Sequence, residues 1–226
     1  MAVEKKIKVA LVTSGASGIG KSICLRLALK NINILVVDLN LEAAQETVKE
    51  IISDSGRAEA YAVDVSNNSQ VFALFKNIND AHTIDILINN AGIAHIGNIE
   101  QTSESDLDRL YNINVKGVYN CISGTIKAMK AQKNGVIINM ASVASSIGIA
   151  DRFACSMTKG AVLTMTYSVN KGYIAESIRC HCISPGRVHT PFVDNFLEQN
   201  YADNREEMFK NFQQVNLLAV WVPQMK

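Results

Sequence analysis

The stretch Ile7-Lys8-Val9-Ala10-Leu11-Val12-Thr13-Ser14-Gly15-Ala16-Ser17-Gly18-Ile19-Gly20 decides the fold of this chain. Its first half, residues 7–13, is an apolar run typical of a buried strand, and residues 19–30 have the spacing of a helix. The small residues between them let the backbone approach a pyrophosphate, which the N–H groups and positive dipole of a helix N-terminus bind well. Glycines also simply make turns, but a strand before and a helix after favour a dinucleotide site.

The same alternation of strand and helix continues along the rest of the chain. Short apolar runs predict strands at 34–38, 59–63, 84–88, 136–140 and 178–183, and helical spacing covers 41–53, 69–78, 106–130 and 154–173. Continuous Val, Ile and Leu in the strands is typical of a parallel sheet covered by helices on both faces. The sequence therefore predicts an α/β fold, a doubly wound parallel sheet in which ligands bind at the carboxyl ends of the strands.

Composition excludes several classes of protein and of site. The chain has 226 residues and a formal net charge of +1, so there is no electrostatic case for nucleic acid or an anionic membrane as partner. Its apolar start is too short to span a bilayer and no cleavage site follows, so we expect a cytoplasmic protein. The five cysteines are odd in number and scattered, which predicts reduced thiols and no metal site.

Asp38 ends the second predicted strand, 18 residues after Gly20. In dinucleotide-binding folds a carboxylate at about this distance accepts hydrogen bonds from the adenosine ribose hydroxyls. A 2′-phosphate would be repelled there, and neither Leu39-Asn40-Leu41 nor the glycine turn holds a basic residue to receive it. The residue therefore indicates NAD rather than NADP, the alternative being that Asp38 only caps the following helix.

Further motifs follow later strands, and together with the glycine turn and Asp38 they resemble the short-chain dehydrogenase/reductase family from about Lys8 to about Asn200. They are Asp64-Val65, Asn89-Asn90-Ala91-Gly92, Asn114-Val115-Lys116-Gly117, Ile138-Asn139-Met140-Ala141-Ser142, Lys159 and Pro185-Gly186-Arg187-Val188-His189-Thr190. The resemblance implies a single-domain Rossmann-type fold and an NAD(P)-dependent alcohol/ketone oxidoreductase. The positions that match the family's cofactor contacts are Ser14, Gly15, Ser17, Gly18, Ile19, Gly20, Asp38, Asp64, Val65, Asn90, Ala91, Gly92, Lys159, Pro185, Gly186, Val188 and Thr190.

The family's proton transfer uses an Asn, a Ser, a Tyr and a Lys. Asn114 matches the asparagine that holds a relay water, and Ser142 matches the serine that hydrogen-bonds the substrate oxygen. Lys159 matches the lysine that grips the nicotinamide ribose. The tyrosine position, four residues before the lysine and thirteen after the serine, carries Cys155.

A thiol is more acidic than a phenol, but its sulfur lies one bond past Cβ, short of the phenol oxygen. A proton donor must come within about 2.6–3.2 Å of its partner, directly or through one water. Two functions stay open: an NAD-dependent dehydrogenase acting on a secondary alcohol or sugar hydroxyl with impaired activity, and a dinucleotide-binding pseudoenzyme that acts as sensor or partner-binding module.

The family pattern stops near Phe212, which predicts a dinucleotide-binding domain at 1–212, about six strands without the family's seventh, and an atypical tail at 213–226. The expected partners are an alcohol or carbonyl substrate and further copies of the chain. We expect homo-oligomer contacts through the long helices, weakened by the altered C-terminus.

Overall fold

A computed structural model describes residues 6–186, 188–200 and 207 of the chain. The strands are β1 (Val9–Thr13), β2 (Asn33–Asp38), β3 (Arg57–Ala62), β4 (Ile86–Asn89), β5 (Gly135–Met140) and β6 (Ile178–Ile183). The helices are α1 (Gly18–Ala28), α2 (Leu41–Ser53), α3 (Asn68–Ala81), α4 (Glu104–Leu110), α5 (Gly117–Gln132), α6 (Phe153–Tyr173) and α7 (Pro191–Asn200).

The six strands form one parallel sheet in the order β3-β2-β1-β4-β5-β6. The winding reverses at β1, which pairs with β2 on one side and with β4 on the other. Because all carboxyl ends lie at one edge, the turns that follow β1, β2 and β4 meet at this reversal. The predicted doubly wound Rossmann-type sheet is therefore confirmed.

Helices pack on both faces of the sheet, which is why β1, β2 and β4 are apolar along most of their length. One face carries α1 and α2 over residues such as Val12, Ile34 and Val36. The other carries α3, α5 and α6 over a larger cluster that includes Leu11 and Phe75. Burial of these side chains on two faces provides most of the driving force for folding.

Most predicted elements are found within two residues of their expected bounds, and α2 and β6 match to the residue. The largest difference is the helix expected at 106–130. It runs from Glu104 to Gln132 and is interrupted by a π-helical segment, Tyr111–Lys116. Sequence periodicity does not detect such a segment because the apolar spacing barely changes across one wide turn.

The predicted boundary at 212, the tail at 213–226 and Arg187 of the motif that follows β6 lie outside the described residues. Among the described strands, β3 and β6 form the two edges of the sheet. In the described ranges, no helix is both long and apolar enough to cross a membrane.

Candidate active site

The turn after β1 has a conformation that few side chains adopt. Ser14 has a φ of 51° and Gly18 a φ of 53°, both in the left-handed region that favours glycine. A Cβ on Gly20 would lie 2.0 Å from the Ser14 carbonyl oxygen, so only glycine fits there. The turn is therefore compact, although Ser14 carries a side chain in a backbone conformation that favours glycine.

The N-terminus of α1 differs from those of the three following helices. Asn40, Asn67 and Ser103 accept hydrogen bonds from backbone N–H groups at the starts of α2, α3 and α4. Ser17, the residue before α1, makes no such bond. The first N–H groups of α1 thus have no side-chain cap, and together with the helix dipole they can receive an anion.

Asp38 lies at the carboxyl end of β2, beside this turn. Its Oδ2 accepts from the N–H of Ala16 at 3.1 Å and its Oδ1 from the N–H of Asn40 at 3.1 Å. The cap of α2 is Asn40, whose side chain accepts from Ala43 N at 3.0 Å. The alternative that Asp38 only caps this helix is therefore wrong: its carboxylate holds the glycine turn and stays half-buried at the crevice.

Thr13 ties the turn after β1 to the turn after β4. Its Oγ1 accepts from the N–H groups of Asn90 and Ala91 at 2.9 and 3.0 Å. In return, Asn90 Nδ2 donates to the carbonyl oxygens of Thr13 and Ser14, both at 3.2 Å. Sequence analysis assigned no role to Thr13, although a hydroxyl at the end of an otherwise apolar strand was a visible signal.

Asp64 and Val65 follow β3. Asp64 Oδ1 accepts from both the N–H and the hydroxyl of Ser66, at 2.9 and 2.7 Å, which fixes its carboxylate beside the crevice. The Val65 carbonyl accepts from Asn120 Nδ2 at 2.8 Å. Asp64 is thus held by a local contact with Ser66, and Val65 by a contact with the distant helix α5.

The segment after β6 reaches the same crevice. The Pro185 carbonyl accepts from Val143 N at 3.2 Å, which ties this turn to the one that follows β5. Gly186 continues the turn, and Val188 is 45% exposed. Thr190 comes so close to Gly18 that a Cβ on the glycine would lie 3.4 Å from the Thr190 Cβ.

Asn114, Gly92 and Lys159 form the centre of the site. A Cβ on Gly92 would lie 3.2 Å from Asn114 Oδ1 and 3.3 Å from Lys159 Nζ. Asn114 is fully buried in the π-helical segment, where its Oδ1 accepts from Ile93 N at 2.8 Å and its Nδ2 donates to Ile93 O at 3.0 Å. Asn114 Nδ2 also donates to Thr158 at 3.2 Å, a second contact that sequence analysis missed.

Lys159 projects from α6 and donates through Nζ to the carbonyl of Met140 at 2.6 Å. Burial lowers the pKa of Lys159 to about 8, and the nearby sulfur of Cys155 opposes this shift. Burial dominates because an ammonium loses its hydration there. The group can therefore exchange a proton near neutral pH.

Cys155 lies one helical turn before Lys159. Its Sγ accepts from the N–H of His95 at 3.2 Å and lies 3.5 Å from the His95 carbonyl. Ser142 starts the turn after β5, and its Oγ accepts from Ala144 N at 3.1 Å, so its own O–H can still donate. Sequence analysis placed these residues in one site but did not foresee that the His95 main chain contacts the thiol.

The structure thus gathers the predicted residues along one edge of the sheet. An apolar cavity of about 730 Å³ adjoins the glycine turn; its walls include Ile19 and Ile23 of α1 and Ile88, Ile138 and Ile183 of the sheet. Within the ranges that the structure describes, no cluster of three or more His, Cys, Asp or Glu side chains could hold a metal ion.

Comparison with known proteins gives consistent matches. A family model for short chain dehydrogenase matches residues 8–201. Dehydrogenase/reductase SDR family member 6 from Aquarana catesbeiana is 38% identical over 206 residues, which cover 91% of this chain and 80% of the relative. An uncharacterized oxidoreductase from Thermotoga maritima is 37% identical over 203 residues, covering 90% and 80% of the two chains.

Solved structures agree in fold. Levodione reductase is 31% identical with a TM-score of 0.86, and the match covers 92% of this chain and 83% of that one. A protein from Beutenbergia cavernae described as an NAD(P)-dependent gluconate 5-dehydrogenase, with NADP bound at low occupancy, is 24% identical with a TM-score of 0.84. This match covers 92% of the present chain and 80% of the other, and it supports the fold alone.

Proposed function

Because the chain belongs to the short-chain dehydrogenase family of oxidoreductases, we propose that it binds NAD and interconverts a secondary alcohol or sugar hydroxyl with the matching ketone. The observation that carries the proposal is the pairing of an uncapped α1 N-terminus with the Asp38 carboxylate at the next strand end. The first suits a pyrophosphate and the second suits a ribose diol.

The choice of NAD over NADP depends on charge at the end of β2. Both Asp38 oxygens accept backbone N–H groups, which hold the carboxylate in place beside the crevice. The next residues are Leu39 and Asn40, so no neighbouring cation in sequence offsets this charge for a 2′-phosphate. We therefore infer a preference for NAD.

The remaining site residues have separate tasks in this proposal. When bound, the nicotinamide supplies a carbon that accepts or donates hydride. The free O–H of Ser142 orients the substrate oxygen, and Lys159 holds the cofactor ribose with an ammonium that can exchange a proton near neutral pH. Asn114 fixes the backbone at Ile93 and thereby the loop that borders the substrate.

Cys155 limits the rate in this proposal. Its sulfur contacts the main chain of His95 and stands far short of the oxygen that a tyrosine would present. Positioned acid–base catalysis is typically worth about 10²–10⁴-fold in rate, so we expect slow turnover.

The same contact favours a second candidate function, a dinucleotide-binding pseudoenzyme. A thiol held by a backbone N–H contributes to the packing of the loop at His95 while the cofactor residues keep their arrangement. Such a protein would bind NAD as a sensor without turning over a substrate.

The first experiment is calorimetric titration of the chain with NAD and with NADP. We expect tighter binding of NAD, and the substitution Asp38→Asn should weaken NAD binding by about tenfold, the effect of losing part of one hydrogen bond to a charged group. Asp108→Asn, at an exposed carboxylate of α4, is the matched control and should leave affinity unchanged. Equal affinities for NAD and NADP would contradict the assignment at Asp38.

Turnover is measured in parallel on sugars and secondary alcohols, with Cys155→Tyr beside the unmodified chain. If the enzyme proposal holds, the variant should be faster by about 10²–10⁴-fold. A variant that binds NAD but still gives no turnover on the panel would favour the pseudoenzyme.

A further inference from the structure

We propose that Cys155 is a nucleophile and that the chain captures α,β-unsaturated aldehydes and ketones covalently at this thiol. The inference names a ligand class for the cleft of the proposed function and rests on that function for the carbonyl-binding role of Ser142. The capture step itself needs no cofactor, so the two proposals can fail separately.

Cys155 is set apart from the other four cysteines by its surroundings. Cys24, Cys121 and Cys180 are buried, and burial raises the pKa of each to about 12. Burial also raises the pKa of Cys182, which is half-buried like Cys155. Thiols of this kind are inert because the thiolate, not the thiol, is the reactive form.

Three electropositive groups lie around the Cys155 sulfur, and the thiol also donates to the His95 carbonyl at 3.5 Å. The residue is the third of the 21 in α6, so it lies in the first turn, where the helix dipole is positive. Its Sγ accepts from His95 N at 3.2 Å, and the ammonium of Lys159 lies one turn further along the same face. A helix N-terminus, a backbone donor and a lysine together form the electropositive, partly exposed environment typical of reactive cysteines.

The length of the side chain selects the class of electrophile. A tyrosine at this position would place its oxygen five bonds beyond Cβ, whereas the sulfur of Cys155 lies one bond beyond. After addition to an α,β-unsaturated carbonyl, four bonds join the sulfur to the carbonyl oxygen, so this oxygen also lies five bonds beyond Cβ. The adduct is therefore as long in bonds as a tyrosine side chain, and Ser142, whose O–H can still donate, is the donor for its oxygen.

The addition balances without an oxidant or a leaving group. The thiolate electron pair forms the new bond between sulfur and the β-carbon, and the π electrons of the double bond shift to the α-carbon and oxygen as an enolate. The α-carbon then takes one proton, which replaces the proton lost from the thiol. Lys159, whose pKa is lowered to about 8, can accept that proton and return it.

The test treats the native, cofactor-free chain with cyclohex-2-en-1-one and follows each cysteine by peptide-resolved mass spectrometry. Cyclohexanone, which has no double bond to attack, is the matched probe and should leave no adduct. We expect one probe molecule per chain, on Cys155. Cys182 should react more slowly, since burial raises its pKa and so lowers the fraction present as thiolate.

Cys155→Ser should abolish fast labelling and Cys182→Ser should preserve it, with circular dichroism confirming that both variants fold. The unfolded chain in denaturant should lose the selectivity and react at all five cysteines. Equal rates at Cys155 and Cys182 in the native chain would overturn the inference. If the chain binds NAD but Cys155 is not labelled, only the covalent capture is refuted. If Cys155 is labelled selectively but the chain does not bind NAD, only the cofactor assignment is refuted.

Discussion

Replacing Gly20 by alanine tests the packing of the cofactor turn. A Cβ at this position would lie 2.0 Å from the carbonyl oxygen of Ser14 and 2.6 Å from Asn90 Nδ2. Both distances are below the 3.0 Å that real Cβ atoms keep. The oxygen is backbone and is itself bonded to Asn90 Nδ2 at 3.2 Å, so it cannot move without disturbing the link between the turns after β1 and β4.

The expected cost follows from this crowding. Forcing an additional methyl group into a well-packed site typically costs about 1–3 kcal/mol. For a domain of this size each kcal/mol lowers the melting temperature by about 2–4 °C, so Gly20→Ala should lower it by about 2–12 °C. NAD affinity should also fall, because the displaced turn carries the N–H groups that we assign to the pyrophosphate.

Gly172→Ala is the matched control. Gly172 lies in α6, and nothing lies within 4 Å of a Cβ built on it. Alanine there should raise stability by about 0.5–1 kcal/mol, since glycine in a helix loses more backbone entropy on folding. The same change from glycine to alanine should therefore lower the stability of the protein at position 20 and raise it at position 172.

Thermal and urea unfolding of both variants, with NAD titration by calorimetry, measures these effects. If Gly20→Ala melted at the temperature of the unmodified chain and bound NAD equally well, the turn could not be packed against Ser14 and Asn90 as described. A loss of stability in Gly172→Ala would show that alanine is penalised for some other reason.

Two more predictions concern buried polar groups. Lys159→Met should raise the melting temperature at pH 7, because burial lowers the pKa of this lysine from 10.5 to about 8 and the folded state bears the cost of a desolvated ammonium. The gain in stability of the variant is fully present below about pH 8 and should shrink as the pH rises to about 10.5, where Lys159 is neutral in both the folded and the unfolded chain. A gain in stability that does not change with pH would refute the explanation. Thr13→Val keeps the shape of the side chain but leaves the N–H groups of Asn90 and Ala91 without their acceptor, so urea unfolding should show a loss of about 1–3 kcal/mol for each group that stays unpaired. An unchanged midpoint would mean that water replaces the hydroxyl.

The sequence predicted the sheet and its order of elements because apolar periodicity reports local structure and burial directly. The continuous apolar runs of β1 and β2 are buried almost throughout, as a sheet covered on both faces requires. β1 and β4 each begin two residues later than predicted. The starts of these strands lie at contacts such as the hydrogen bond from Val9 N to Asp85 Oδ2 at 2.9 Å. Such a contact joins positions 76 residues apart and leaves no local pattern.

The sequence by itself determined the fold class, the edge of the sheet at which the predicted site residues lie, and the spacing of Cys155 four residues before Lys159. Strand and helix periods are local properties, and a parallel sheet brings all strand ends to one edge. Only the tertiary structure decided the tie between Thr13 and Asn90, the π-helical segment that places Asn114 against Ile93, and the contact of Cys155 with His95. Each of these joins groups distant in sequence, and their meeting depends on strand register and helix packing, which no single segment encodes.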